Sequence, residues 1–130
     1  EQVARSGFPA AVGPTLTHAS KLELENKSFT TPGVLARAGV QVSIITDSPV
    51  LPQQYLGLCA GLAVKDGMDP FQALQAITIN PAEHALVADR VGSLEVGKDA
   101  DIAIYCGNPL TNIDYQTKYT LIDGKVVYKA

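Results

Sequence analysis

The chain has 130 residues, of which 46% are hydrophobic and 18% charged, a composition typical of one folded globular domain and too apolar for disorder. The formal net charge of -3 gives no support for nucleic acid or an anionic membrane as a partner, since both select a basic surface. Residues 56–64 form the longest nearly uninterrupted apolar run, which is about half the length of a bilayer span. We therefore expect no nucleic-acid or membrane partner. The first residues do not resemble a secretory signal and the chain has only two cysteines, so we expect a cytoplasmic protein.

Helical segments alternate with short apolar runs in the first half of the chain. Residues 1–8 predict a helix tail, followed by a strand at residues 10–12 and then a loop with a short helical turn over residues 15–29. Thr30 precedes Thr31-Pro32 and predicts a helix start capped by a hydroxyl group. Residues 40–46 predict a strand that is apolar on both faces. Helix followed directly by strand indicates an α/β fold with parallel strands.

Three more helices are predicted before residue 90. The first covers residues 53–66, and the other two begin at Asp69-Pro70 and Asn80-Pro81, where a side-chain cap precedes a proline. The spacing of large apolar residues predicts the faces that the first two bury. These residues are Tyr55, Leu58, Cys59 and Leu62 in the first helix, and Phe71, Leu74 and Ile77 in the second.

The pattern changes to short strands and turns near residue 91. We expect strands at residues 93–95, 101–105, 119–122 and 125–129, the last two joined through Asp123-Gly124, a two-residue hairpin signal. The last third of the chain is therefore expected to be a second, mostly antiparallel module. The predicted boundary separates residues 1–90 from residues 91–130.

Four motifs, in order, resemble those of the metal-dependent amidohydrolases. They are Thr46-Asp47 after an apolar strand, AITINPA at residues 76–82, GSLEVGKDAD at residues 92–101, and IDGKVVY at residues 122–128. The resemblance is nearest to the imidazolonepropionase-like branch. It implies an α/β fold in which residues 1–90 form the last β/α units of a (β/α)8 TIM-type barrel. Residues 91–130 would then be part of a small β-sandwich domain.

Asp47 is the candidate catalytic residue. It follows a predicted strand, and barrel enzymes place catalytic groups at the carboxyl ends of their strands. The resemblance implies that Asp47 is a metal ligand and takes the proton of the attacking water, since a divalent metal, zinc by resemblance, lowers the pKa of bound water. The alternative is a turn cap in Asp47-Ser48-Pro49.

The remaining ligands of such a metal site are not recognisable. The resemblance implies a His-x-His pair and further histidines, whereas this chain has only His18 and His84, far apart. A zinc site needs three or four protein ligands, so we expect no tightly bound metal and no activity from this chain alone. His18 is a candidate substrate contact, with a loop histidine of no chemical role as the alternative. We expect His84 to be structural or exposed.

The two cysteines, Cys59 and Cys106, are too few and too far apart for a disulfide scaffold or a zinc ribbon. We expect both to be small core residues without a redox role.

The leading hypothesis is the C-terminal fragment of a hydrolase that acts on amide or cyclic amide C–N bonds of a small molecule. The chain begins without methionine, in what reads as the end of a helix, which agrees with a fragment. The alternative is a free-standing, non-catalytic binding or assembly module derived from such an enzyme. An unrelated α/β protein is disfavoured by the order of the motifs. Strands separated from a barrel expose edges and apolar faces, so we expect self-association of the chain.

Overall fold

The computed structural model describes residues 1–19 and 21–130. Five α-helices and five strands are present in this part of the chain, together with short 3-10 turns at Leu22–Leu24 and Gln53–Tyr55. In chain order the elements are α1 (Gln2–Ser6), β1 (Ala10–Val12), α2 (Thr31–Arg37), β2 (Val42–Ile44), α3 (Leu56–Lys65), α4 (Pro70–Gln75), α5 (Ile79–His84), β3 (Ile102–Cys106), β4 (Gln116–Ile122) and β5 (Lys125–Lys129). The order confirms the predicted α/β pattern, except that residues 93–95 form bends and coil instead of a strand.

β1 and β2 form a parallel pair, as predicted, with Ala10 opposite Val42 and Val12 opposite Ile44. All three residues of β2 are buried, including the polar Ser43. This confirms a strand covered on both faces, although it is shorter than the predicted residues 40–46.

The buried faces of α3 and α4 agree only in part with the predicted ones. In α3 the buried residues are Cys59, Ala60 and Ala63, whereas Tyr55 and Leu58 are exposed. In α4 the core residue is Ala73, and Phe71 is 67% exposed. Among the predicted residues, Cys59 is buried and Ile77 packs against the core. The other buried residues of the two helices are alanines, so the spacing of large apolar residues identified the buried faces only in part.

The helix starts confirm one predicted cap and correct two. Asp69 caps α4, because its Oδ1 accepts a hydrogen bond from the backbone N of Gln72 at 2.9 Å. Thr30 does not cap α2, since its hydroxyl lies 2.9 Å from Ser28 Oγ. Helix α5 begins one residue before Asn80, whose side-chain amide donates to a strand carbonyl, so Asn80 is not a cap either.

The second sheet has the order β3-β4-β5 and is antiparallel, as predicted for the last third of the chain. Asp123 and Gly124 have φ values of 50° and 72°, which confirms the predicted two-residue hairpin turn. The segment between β3 and β4 contacts the helices, since Leu110 is buried in the same hydrophobic cluster as Cys59. Cys106 is exposed at the end of β3, so its predicted place in the core is wrong.

Among the described residues, 1–19 and 21–130, no helix combines the length and apolar character that a membrane crossing requires.

Candidate active site at the carboxyl edge of the parallel strands

The carboxyl ends of β1 and β2 are joined by a backbone hydrogen bond. The amide of Ile45 donates to the carbonyl oxygen of Val12 at 3.0 Å. Gly13 follows with a φ of 151°, and a Cβ at this position would lie 2.0 Å from the carbonyl oxygen of Ile45. Only glycine allows the two chains to approach this closely. The loops that follow the two strands therefore leave the same edge of the sheet side by side.

Asp47 lies in the loop after β2, in the left-handed backbone region with a φ of 53°. The turn is held by backbone bonds, from the amide of Val50 to the Asp47 carbonyl at 2.9 Å and from the amide of Leu51 to the Thr46 carbonyl at 3.3 Å. Asp47 is exposed, and its carboxylate forms no hydrogen bond with the described residues. The main chain thus makes the turn without a carboxylate cap, which leaves both carboxylate oxygens open to an external partner.

His18 lies in the loop after β1 and is exposed. The backbone on which it sits is bound by Lys27, whose ammonium donates to the carbonyl and, at 2.5 Å, to the hydroxyl of Thr17. The third contact of this ammonium is the carbonyl of His18 at 3.3 Å. An ammonium has three N–H groups, so these oxygens use all of its donors. Sequence reasoning missed Lys27, because its partners are oxygens nine and ten residues away.

The beginning of the same loop packs against the core. Thr15 is buried, and Leu16 packs against the hydrophobic cluster that contains Cys59. Burial raises the pKa of the Cys59 thiol, and hydrogen bonds with Thr15 and with the backbone of Leu16 offset part of this rise. The thiol is therefore protonated and unreactive at neutral pH. Its predicted role as a core residue is confirmed.

The described residues supply one candidate ligand for a metal ion at this edge. A carboxylate such as that of Asp47 is a suitable oxygen donor for a divalent cation. Within residues 1–19 and 21–130, however, no three His, Cys, Asp or Glu side chains lie close enough together to hold a metal. His84 lies on α5, where its Nδ1 is 2.7 Å from Ser43 Oγ, so it is engaged inside the fold.

Comparisons with known proteins show which proteins this chain is similar to. A family model described as "Amidohydrolase family" matches residues 3–127. An imidazolonepropionase of Streptococcus pyogenes is 32% identical over 111 residues, which cover 82% of this chain and 25% of that protein. An adenine deaminase of Methanosphaera stadtmanae is 37% identical over 76 residues, covering 58% of this chain and 13% of the deaminase.

A solved structure extends the similarity to the whole fold. The crystal structure of an amidohydrolase from Thermotoga maritima matches with a TM-score of 0.93 and 33% sequence identity, covering 99% of this chain and 33% of that chain. The present chain thus spans a quarter or less of the two sequence relatives and a third of the solved structure.

Proposed function

Because the chain belongs to the amidohydrolase family, we propose that it is the C-terminal part of a metal-dependent hydrolase that acts on amide or cyclic amide C–N bonds of a small molecule. The observation that carries this proposal is the exposed carboxylate of Asp47 at the carboxyl edge of a parallel strand pair. The imidazolonepropionase and adenine deaminase relatives support a hydrolase of this class.

We propose that residues 1–90 form the last β/α units of a (β/α)8 barrel and residues 91–130 part of a β-sandwich. The parallel pair β1-β2, connected through α2, supports the first assignment. The separate antiparallel sheet β3-β4-β5 supports the second. Strand residues from other parts of the barrel would then complete the site around Asp47.

The proposed chemistry assigns a separate task to each loop. A divalent metal, zinc by resemblance to the family, would lower the pKa of a bound water when present. Asp47 would be one of its ligands, and a carboxylate oxygen of Asp47 would accept the proton of the attacking water and deliver it to the leaving nitrogen. His18 would contact the substrate from the neighbouring loop, whose backbone Lys27 holds in place.

This chain alone is proposed to be inactive and to bind no metal tightly, since a catalytic zinc needs about three protein ligands and Asp47 provides one. It is also proposed to self-associate. The edge of β1 that faces away from β2 has no strand partner among the described residues, and Ala11 is exposed there. A cytoplasmic location is part of the proposal and is supported by two free thiols, Cys59 and Cys106.

The experiment compares this chain with a longer protein that contains it and the remaining barrel strands. Both are purified and analysed for zinc by mass spectrometry, and both are assayed for hydrolysis of a panel of amides and cyclic amides. We expect zinc and turnover in the longer protein only. A stoichiometric zinc ion in this chain that is lost in Asp47→Asn would contradict the incomplete site. A longer protein without turnover would favour the non-catalytic module.

A further inference from the structure

The edge of β2 that faces away from β1 is bonded to the segment that leads into α5. The amide of Ile44 donates to the carbonyl of Ala76 at 2.8 Å. The side-chain amide of Asn80 donates to the carbonyl of Val42 at 2.7 Å. Val42 and Ile44 are alternate residues, and alternate residues of a strand direct their amide and carbonyl groups to the same edge. The Ile44 amide and the Val42 carbonyl are therefore groups that a further strand at this edge would use. Residues 76 and 80 therefore occupy the place of a strand at this point.

A third bond connects the same segment to the middle residue of β2. The hydroxyl of Ser43, which is 2% exposed, lies 2.7 Å from Nδ1 of His84. The other ring nitrogen of His84 is buried without a partner among the described residues, so within this part of the chain Ser43 makes the one hydrogen bond of the imidazole. We call Ala76, Asn80 and His84 the β2 clamp, because each of them binds one of the three residues of the strand.

The β2 clamp holds the carboxyl end of the strand in position. Ile45, the residue after β2, is bonded to Val12, and Thr46 is buried, so the chain has little freedom between the clamp and Asp47. A displacement of β2 along its own axis would carry the Asp47 carboxylate with it. Displacements of about 1 Å at a reacting group lower turnover by about a hundredfold.

We propose that Asn80 is a positioning residue for Asp47 and acts through the carbonyl of Val42. This inference rests on the proposed function of Asp47. An amide side chain is required at position 80. Leu would offer the Val42 carbonyl no hydrogen-bond donor, and Asp would place a carboxylate oxygen opposite the carbonyl oxygen. The residue that the sequence suggested as a helix cap would thus serve the catalytic strand.

The test introduces Asn80→Leu into the longer enzyme that contains this chain. The turnover number is expected to fall by about tenfold or more while KM changes by less than about twofold, since a displaced catalytic group affects the transition state more than substrate binding. Asp69→Ala is the matched control, because it removes the cap of α4 without touching β2. It should lower the melting temperature to a similar extent and leave kcat unchanged. A fall in kcat of Asn80→Leu no larger than that of Asp69→Ala would overturn the proposal.

A second measurement does not depend on activity. Hydrogen exchange of the Ile44 amide is compared in this chain with and without Asn80→Leu, with the Ala73 amide of α4 as the internal reference. We expect exchange at Ile44 to accelerate by about tenfold relative to Ala73. Unchanged exchange at Ile44 would overturn the clamp. A wild-type enzyme without turnover would instead overturn the proposed function, so the two failures are distinguishable.

Discussion

The amide of Ile45 donates to the carbonyl oxygen of Val12 at 3.0 Å, and this bond joins the ends of two parallel strands. As a result, the loop that carries His18 and the loop that carries Asp47 leave the sheet at the same edge. In α/β proteins this edge is where ligands and catalytic groups are found. The candidate site is therefore a consequence of how the strands pair, with Gly13 as the residue that permits the close contact.

Gly13→Ala should destabilise the chain strongly. The added Cβ would meet the carbonyl oxygen of Ile45 at 2.0 Å, so the ends of the strands would have to separate. We expect the free energy of unfolding in urea to fall by at least about 2 kcal/mol. Gly7→Ala is the control, since Gly7 has a φ of 70° but no atom within 4 Å of a new Cβ. The free energy of unfolding of Gly7→Ala should fall by only about 1 kcal/mol. Equal falls in the two variants would show that steric contact with Ile45 is not what requires glycine at position 13.

Lys27→Met should loosen the loop after β1, because the backbone oxygens of Thr17 and His18 lose the ammonium that binds them. We expect limited digestion by thermolysin near Leu22 to accelerate by about tenfold. Lys21→Met removes a charge from the same loop at an exposed position and serves as the control. Cleavage of the two variants at the same rate would contradict the role of Lys27. In the longer enzyme, Lys27→Met should raise KM more than it lowers kcat.

The stability of the chain should fall in alkaline solution partly because of Cys59. Burial raises the pKa of this thiol in the folded state, so the unfolded chain loses the proton first as the pH rises. The contribution of the protonated Cys59 thiol to stability is complete below the ordinary thiol pKa of about 8.5. This contribution is lost as the pH rises through the folded-state pKa. The free energy of unfolding, measured in urea, should therefore fall more between about pH 7 and about pH 10 in the wild type than in Cys59→Ala.

The exposed Cys106 provides the comparison for this pH effect. Cys106→Ala should keep the wild-type pH dependence, because an exposed thiol has a similar environment in the folded and unfolded chain. If the free energy of unfolding falls equally in Cys59→Ala and in the wild type over this pH range, burial of the Cys59 thiol is not the cause of the alkaline loss of stability.

Self-association should depend on the open edge of β1. Ala11→Lys places a charge beside this edge, and charged residues on edge strands oppose pairing with another chain. We expect sedimentation velocity to show a smaller assembled fraction than in the wild type at the same micromolar concentration. Ala38→Lys adds the same charge at an exposed position after α2 and should not change the assembly. A wild-type chain that sediments as a folded monomer would contradict the proposal.

The elements that could be predicted from the sequence are those whose signals are local. Asp69 reaches the amide of Gln72 only three residues away, and Asp123-Gly124 forms its turn from its own backbone preferences. The strand at Val42–Ile44 was recognisable because burial on both faces requires consecutive apolar or small residues. The position of Asp47 after this strand followed from the same pattern.

The features that could not be predicted depend on partners distant in the chain. The amide of Asn80 binds Val42, 38 residues earlier, so its position before Pro81 suggested a cap instead. The buried face of α3 was predicted only in part, because the residues that are buried with Cys59 are alanines, which a pattern of large apolar residues does not reveal. Lys27 could not be recognised as a loop anchor, since its acceptors include backbone oxygens that any sequence provides.

The role of Asp47 is tested by Asp47→Asn in the longer enzyme that contains this chain. The substitution keeps the size of the side chain and removes the charge that would bind the metal and accept the proton. We expect kcat to fall by about 10²–10⁴-fold, with reduced zinc content and an unchanged melting temperature, because the carboxylate forms no hydrogen bond with the described residues. Turnover close to that of the wild type would contradict the assignment of Asp47 as the catalytic carboxylate.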